Sequence, residues 1–495
     1  MKRASGILLH PTSLPGDYGI GDLGSAAYRF VDFLTASGQT LWQILPLGPP
    51  GYGNSPYQCL SSMAGNPLLL SLQSIAEQGW IDETVMRAAP EFPEHRVDFG
   101  ALIPFKWKIL KSAAKTFFQD RASPRRQEFE DFRFRHREWL DGFAQFMALK
   151  DANQGAAWPD WKQRLDPDPD EVLAHKFIQF EFFRQWGALK RYANERGILI
   201  IGDLPIFVAH DSSDVWANKI LFDLQRDGSP RTIAGVPPDY FSATGQRWGN
   251  PLYRWDVMAA TGYRWWVDRV RATLEMVDIV RLDHFRGFEK YYEIPGTAAT
   301  AETGRWVEGP GSNLFAALER ALGKLPVIAE DLGFITPEVE ALRDQWGFPG
   351  MRVLQFAFDN EFGSDSFKPH NYIRNCVVYT GTHDNDTTVG WFTSLNSGQS
   401  TLTAEQVQTE RDFALRYLHS DGSEIHWDFI RAALASVANL AIIPMQDLLG
   451  LGSAARMNLP ASSENNWGWR FRASDLNPEL TSRLRRLALL YGRCQ

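Results

Sequence analysis

The stretch that decides the fold is Ile279–Phe288, which reads "IVRLDHFRGF". It begins with the apolar residues of a buried strand and then places two arginines, a carboxylate and an imidazole within six residues. Because side chains alternate along a strand, Arg281 and Asp283 share a face with Ile279. That face is apolar below and charged above. The pattern predicts a strand buried on both sides that ends at a polar site.

Seven further segments share this character with residues 277–283. Each is a short apolar run followed by polar residues or by Gly and Pro: 6–11, 41–47, 198–206, 326–331, 351–356, 376–384 and 440–447. Most are separated by stretches with helical periodicity. Alternating strands and helices indicate a parallel sheet, and eight strands are the number that a (β/α)8 TIM barrel needs. An open doubly wound sheet is the alternative, but no glycine-rich nucleotide fingerprint follows the first strand.

We expect one catalytic domain over residues 1–495, with insertions on the barrel. Residues 65–195, between the second and third strands, are expected to form a mostly helical insertion, because 170–197 has the pattern of one long helix. The stretches 235–255 and 458–469 are rich in Gly, Pro, Asn and aromatic residues. Both follow predicted strands, so we expect both to be loops over a cleft at the C-terminal face.

Composition limits the partners and the compartment. The net charge of −8 comes from 51 basic and 59 acidic residues without a dense basic stripe, which argues against nucleic acid. No run approaches the ~18 apolar residues of a membrane span, and the N-terminal apolar run 7–9 is too short for a signal peptide. The three widely spaced cysteines form neither a zinc motif nor a disulfide framework. We therefore expect a cytoplasmic protein without a membrane partner.

Several predicted strands end in ionisable residues. In strand order these are Asp203, then Arg281 with Asp283, then Glu330 with Asp331, and then His383 with Asp384. Of these, Asp331 is better explained as a loop or cap residue than as a catalyst. An aspartate after a strand is often only a helix N-cap, and an arginine there can be a structural ion-pair partner. Their convergence on one end of a barrel favours function, because unpaired like charges raise one another's pKa values and are costly without a role.

Paired carboxylates facing one bond are what glycoside cleavage requires. One carboxylate attacks the anomeric carbon, and the other, protonated, donates to the leaving oxygen. A third can bind sugar hydroxyls and distort the ring. Aromatic residues make up 13% of the chain, and some can form platforms for sugar rings although most are expected in the core. A metal-dependent hydrolase using "HDND" (383–386) would need further ligands from other strand ends.

Seven segments resemble, in chain order, motifs of the amylomaltases, the 4-α-glucanotransferases or disproportionating enzymes of the α-amylase clan. They are "GILLHPTSLPGDYGIGDLG" (6–24), "LPLGPPGYGNSPYQ" (45–58), "GDLPIFVAHDSSDVW" (202–216), "GVPPDYFSATGQRWGNPLY" (235–253), "VRLDHFRGF" (280–288), "IAEDLG" (328–333) and "YTGTHDND" (379–386). The resemblance covers essentially the whole chain. It implies transfer of α-1,4-glucan segments between maltodextrins, or to glucose, without a metal or organic cofactor. An α-1,4-glucan hydrolase of the same clan is the alternative, and a non-catalytic glucan-binding protein would be expected to lack one of the acids.

The resemblance also implies roles for individual residues. Asp283 would be the nucleophile of a retaining double displacement through a covalent glucosyl-enzyme, Glu330 the general acid/base, and Asp384 the carboxylate that stabilises the transition state. Arg281 would keep Asp283 ionised. The expected substrate-binding positions are Arg281, His284, His383, Asp203, Tyr57, Ser55, Tyr52, Gln246, Trp248 and Asn458. Residues 458–466 match the family's loop over the cleft less closely than the other segments match their counterparts.

Overall fold

A computed structural model describes residues 2–161, 165–238, 244–358, 364–394, 403–460, 462 and 464–494. The strands in these ranges are β1 (Ala4–Leu8), β2 (Leu41–Ile44), β3 (Leu199–Pro205), β4 (Thr232–Val236), β5 (Gln246–Pro251), β6 (Ile279–Asp283), β7 (Lys290–Pro295), β8 (Arg305–Glu308), β9 (Val327–Ala329), β10 (Gly350–Val353), β11 (Cys376–Tyr379) and β12 (Leu440–Pro444).

The helices run in chain order through the same ranges. They are α1 (Ser25–Ala36), α2 (Leu72–Ala76), α3 (Glu83–Arg87), α4 (Phe99–Gln119), α5 (Arg125–Ala152), α6 (Pro169–Glu195), α7 (Ser213–Ala217), α8 (Trp255–Ala260), α9 (Arg264–Met276), α10 (Gly311–Leu322), α11 (Pro337–Gln345), α12 (Thr388–Thr393), α13 (Ala404–Leu418), α14 (Ile425–Ala435), α15 (Met445–Leu448) and α16 (Pro478–Leu490). None of these helices is both long enough and apolar enough to cross a membrane.

Eight strands form one parallel sheet in the order β10-β11-β12-β1-β2-β3-β6-β9. The two ends of this order meet. The Ala329 N–H donates to the Pro349 carbonyl at 2.9 Å, and the Asp331 carboxylate accepts the Met351 N–H at 2.6 Å. The predicted (β/α)8 barrel is therefore confirmed, with each of the eight strands where the apolar runs indicated.

The barrel interior is filled by the side chains that point inward from these strands. Ile279 packs there with Ile201 and Ile328 from the neighbouring strands β3 and β9. Arg281, two residues further along β6, lies above this layer, and its Nε is 3.3 Å from the Met351 sulfur. The alternation of side chains along β6 therefore places the charged residues at the end of the strand directly above the apolar core, as the sequence predicts.

Four further strands form a second, antiparallel sheet in the order β5-β4-β7-β8. This sheet is connected to the C-terminal end of β6, because β7 begins directly after the turn 285–288. The stretch 235–255 was expected to be a loop, but β5 lies within it. The Gly, Pro and Asn residues of this stretch are typical of turns, so the sequence did not indicate the strand. At Gly235 an added Cβ would sit 2.1 Å from the Gln246 carbonyl oxygen, so glycine here permits the close approach of β4 and β5. Residues 239–243 lie outside the described residues.

Between β2 and β3 the chain forms α2 to α6, of which α4, α5 and α6 are long. The last of these helices returns to the barrel wall. The Trp186 indole N–H donates to the Met276 carbonyl at 2.8 Å, and its ring packs against Trp42 of β2. The C-terminal part of α6 therefore belongs to the helical layer that surrounds the barrel, while α4 and α5 are added outside it.

Candidate active site

Arg281 lies between two carboxylates at the top of the barrel. Its Nη1 donates to Asp203 Oδ2 at 2.6 Å and to Asp283 Oδ1 at 3.0 Å. The Tyr57 hydroxyl donates to the same Asp203 oxygen at 2.5 Å. The side chain of Asp203 is fully buried, whereas that of Asp283 is 28% exposed. Asp203 therefore lies beneath the site and holds Tyr57 and Arg281, and Asp283 is the carboxylate that a ligand can reach.

The charges around Asp283 oppose one another. Burial and the neighbouring Asp203 raise the pKa of Asp283, while the guanidinium of Arg281 lowers it. Burial alone would lower the pKa of Arg281, but Asp203 and Asp283 hold this pKa well above its ordinary value. Arg281 consequently remains charged at every physiological pH and favours the ionised form of the Asp283 carboxylate.

Glu330 follows β9 and faces Asp283 from the neighbouring strand. One of its carboxyl oxygens accepts the His284 N–H at 2.7 Å, and the other accepts the Leu332 N–H at 3.1 Å. Burial, followed by the charge of Asp283, raises the pKa of Glu330 to about 8. Glu330 is therefore largely protonated at neutral pH, beside Asp283, whose ionised form the guanidinium of Arg281 favours against the effect of burial. Such a division between two neighbouring carboxyl groups is typical of an acid/base and nucleophile pair.

Asp384 approaches Asp283 from the segment after β11. Its charge contributes to the raised pKa of Asp283, which places the two carboxylates within electrostatic reach. The Asn458 side-chain amide donates to Asp384 Oδ1 at 2.6 Å, and His383 Nε2 is 3.4 Å from Asp384 Oδ2. The Asp384 side chain is 47% exposed. It is therefore oriented by its neighbours but open to a ligand.

Aromatic rings line the space around these acids. The Tyr57 and His383 rings are stacked with centroids 5.1 Å apart, and Trp467 lies 5.9 Å from Tyr57. On the side of β5, Trp248 packs edge-on against the His284 ring at 4.8 Å. His284 itself has a left-handed backbone, with φ near 50°. A non-glycine residue in this conformation is uncommon and is found preferentially at functional sites.

Not every residue expected at the site has the same placement. The Ser55 hydroxyl accepts the Tyr57 N–H at 3.2 Å, so it shapes the turn that carries Tyr57. The Gln246 side chain accepts the Trp248 indole N–H at 3.1 Å and so orients that ring. Tyr52 is 80% exposed on the preceding turn. The structure thus groups Tyr57, Trp248 and Asn458 around the acids and leaves Tyr52 at the surface.

Besides Trp467, two further residues that were not selected from the sequence belong to the site. His10, just beyond β1, is buried, and burial together with His383 lowers its pKa to about 3, so its imidazole is neutral. A polar residue at the end of the first strand is the same signal that selected Asp203, and it would have found His10. Arg456 donates to the Asp384 carbonyl at 2.5 Å and to the Asn458 carbonyl at 2.8 Å. No local pattern marks Arg456.

A grouping of possible metal ligands within the described ranges lies away from these acids, in the helices between β2 and β3. It consists of Asp151, Glu171 and His175. The ammonium of Lys111 is 2.7 Å from both carboxylates, so a cation already compensates their charge. The arrangement is that of an ion-pair cluster.

The chain is similar to known proteins over almost its whole length. The family described as 4-alpha-glucanotransferase matches residues 9–476. The chain is 51% identical to the 4-alpha-glucanotransferase of Synechocystis sp., with 99% of this chain and 98% of the relative covered. It is 49% identical to that of Thermus thermophilus, with the same coverage. Among solved structures, an amylomaltase from Streptococcus agalactiae in complex with acarbose is 38% identical, covers 100% of both chains and superposes with a TM-score of 0.93.

Proposed function

The chain belongs to the 4-alpha-glucanotransferase family, and we propose that Asp283 and Glu330 perform its transfer of α-1,4-glucan segments by a retaining double displacement. The observation that carries this proposal is the difference in surroundings between two neighbouring carboxyl groups, of which only Asp283 accepts a hydrogen bond from Arg281. Arg281 donates to Asp283 at 3.0 Å and favours its ionised form, whereas burial and Asp283 raise the pKa of Glu330 to about 8. A nucleophile must be ionised and a general acid protonated before reaction.

In the first step, a carboxylate oxygen of Asp283 attacks the anomeric carbon of the donor glucan. The bond from that carbon to the leaving oxygen breaks, and the leaving oxygen takes the proton of Glu330. In the second step, Glu330, now ionised, removes the proton from the 4-hydroxyl of an acceptor. The acceptor oxygen attacks the anomeric carbon and displaces Asp283. Two inversions at one carbon retain the α-configuration.

The surrounding residues support these steps in different ways. Asp384, oriented by Asn458 and left half open, is suited to bind the hydroxyls of the reacting sugar and to stabilise positive charge at the ring. The stacked Tyr57 and His383 rings offer a wall for that sugar. Asp203 does not reach the substrate in this proposal. It acts through Tyr57 and Arg281, to which it is hydrogen-bonded.

We propose glucose and maltooligosaccharides as acceptors, with the described parts of the stretches 235–255 and 458–469 over the cleft. Residues 461 and 463, like 239–243, lie outside the described residues. An α-1,4-glucan hydrolase would use the same acids but deliver the intermediate to water. Incubation with maltotriose separates the two outcomes. We expect glucose and maltose to appear together with maltotetraose and maltopentaose while the total of reducing ends stays constant, because each transfer breaks one bond and forms one. Reducing ends that rise without longer products would contradict transfer.

The protonation of Glu330 predicts the alkaline limb of the pH profile. Glu330 must carry a proton in the first step, and its pKa is about 8. We therefore expect kcat/KM for maltotriose to fall above pH 8 by about tenfold per pH unit, because one proton is lost from the free enzyme. Initial rates from pH 5 to 10 measure this limb. A profile that stays flat to pH 10 would contradict the assignment of Glu330.

We further propose that the enzyme works in the cytoplasm. Cys59 and Cys376 are free thiols, as is usual where the surroundings are reducing. The buried thiol of Cys376 has a raised pKa, because burial disfavours the thiolate, and it is correspondingly unreactive. Fractionation of the source cells, with activity measured in each fraction, tests this placement.

A further inference from the structure

A large aromatic side chain is exposed on the segment that follows the general acid. Phe334 lies four residues after Glu330, and 77% of its surface is open to solvent. A single exposed hydrophobic residue needs no explanation by itself. Phe334 differs from such a residue in its contacts with Arg286 and in its place on the segment that follows Glu330.

Arg286 contacts both Phe334 and a second aromatic residue, Trp306. One guanidinium nitrogen of Arg286 donates to the Phe334 carbonyl. The guanidinium carbon lies 3.8 Å from the centroid of Trp306 and 5.5 Å from that of Phe334. Arg286 is itself buried, and cation–π contacts of this kind are strengthened by desolvation. We call these three residues the aromatic shelf.

The aromatic shelf adjoins the ends of β6 and β9. Arg286 is in the turn that follows Asp283, and the same turn provides the His284 N–H that binds Glu330. Trp306 is on β8, an edge strand of the second sheet. Asp384 and Asn458, in contrast, approach from the segments after β11 and β12. The shelf therefore extends the Glu330 side of the site, where the leaving chain departs and the acceptor enters.

We propose that the aromatic shelf is a binding site for the acceptor glucan, and that it contacts the second and later sugar units beyond the reacting bond. This inference rests on the proposed function. The flat apolar faces of α-1,4-linked glucose units can stack on Phe334, as apolar surfaces do on aromatic rings. The first acceptor unit lies against Glu330, and the shelf, formed by residues on β8 and on the segments that follow β6 and β9, is available to the next units. An acceptor bound to the shelf is already in place when the covalent intermediate forms.

The shelf is tested by comparing acceptors of different length. The donor is α-maltosyl fluoride, whose leaving group occupies no sugar position on the acceptor side. We expect Phe334→Ala to raise the KM for maltotriose as acceptor about 5- to 10-fold, the loss that one aromatic contact accounts for. The KM for glucose, which fills only the first position, should change less than about 2-fold by the same reasoning. Phe334→Tyr keeps the ring and should retain the wild-type KM for maltotriose.

Phe134 provides a matched control. It is 71% exposed and also has an arginine, Arg137, 4.4 Å from its ring centroid, but it lies on α5 outside the barrel. Phe134→Ala should leave both acceptor KM values unchanged. Equal changes for glucose and maltotriose in Phe334→Ala, or no change for either, would overturn the shelf. A wild-type enzyme that transfers to neither acceptor would instead refute the proposed function, so the two failures are distinguishable.

Discussion

Asp283→Asn should lower the rate of maltotriose disproportionation at least about 10⁴-fold, because a neutral amide cannot replace a carboxylate as nucleophile. A loss of this size corresponds to about 5 kcal/mol of transition-state stabilisation. The fold should persist. Asparagine has the same shape, and its side-chain oxygen can still accept the Arg281 hydrogen bond that Asp283 accepts at 3.0 Å. Arg281 also keeps its second partner, Asp203, at 2.6 Å.

The measurement compares this variant with Asp256→Asn, a matched substitution at an exposed position on α8 that lies 3.7 Å from Arg254. The control should retain wild-type activity, and thermal melting should show that both variants are folded. Asp283→Ala serves as a second test, since it cannot revert to aspartate by deamidation. If Asp283→Asn and Asp283→Ala both keep more than a small fraction of the transfer rate, another group is the nucleophile.

The strand ends that carry Asp203, Arg281, Asp283 and Glu330 could be predicted because two short-range rules are sufficient. A buried parallel strand is a continuous apolar run, and its side chains alternate. Once eight such runs are recognised, the topology of a barrel brings their C-terminal ends together without further information. The fold and the grouping of these residues therefore follow from sequence patterns only a few residues long.

Other features depend on contacts between distant parts of the chain, and no local pattern reports them. Asn458 binds Asp384 across 74 residues, and Arg456 supports both. The raised pKa of Glu330 results from its burial and from the position of Asp283 on another strand. Strand β5 was missed for a related reason. Its Gly, Pro and Asn residues give turn signals, and the strand exists because β4 offers it a partner.

Asp331 shows that two adjacent acidic residues can have different roles. It is adjacent to Glu330 and is also a carboxylic acid, so residue type alone does not separate their roles. In the structure Asp331 accepts hydrogen bonds from the Arg343 guanidinium and the Met351 N–H, and so joins β9 to β10. Alternation explains the difference, since successive side chains point to opposite faces. Glu330 faces the site, and Asp331 closes the barrel.

Glu330→Gln should lower the rate on maltotriose about 10³-fold or more, because the leaving sugar oxygen then departs without a proton. With α-maltotriosyl fluoride the result should differ. Fluoride leaves without protonation, so Asp283 can still attack the anomeric carbon, break the carbon–fluorine bond and form the glycosyl ester. The second step lacks its base, and the covalent intermediate should accumulate.

Mass spectrometry of the intact Glu330→Gln protein after mixing with the fluoride should show an increase of one maltotriosyl group, and peptide mapping should assign it to Asp283. Azide, which needs no base, should release the sugar as the α-glycosyl azide and restore turnover with the fluoride. Glu340→Gln, at an exposed position on α11, should accumulate no intermediate. The double variant that combines Glu330→Gln with Asp283→Asn should not be labelled. A label on a different residue, or a β-configured azide product, would contradict the assignment of Asp283 and Glu330 to a retaining mechanism.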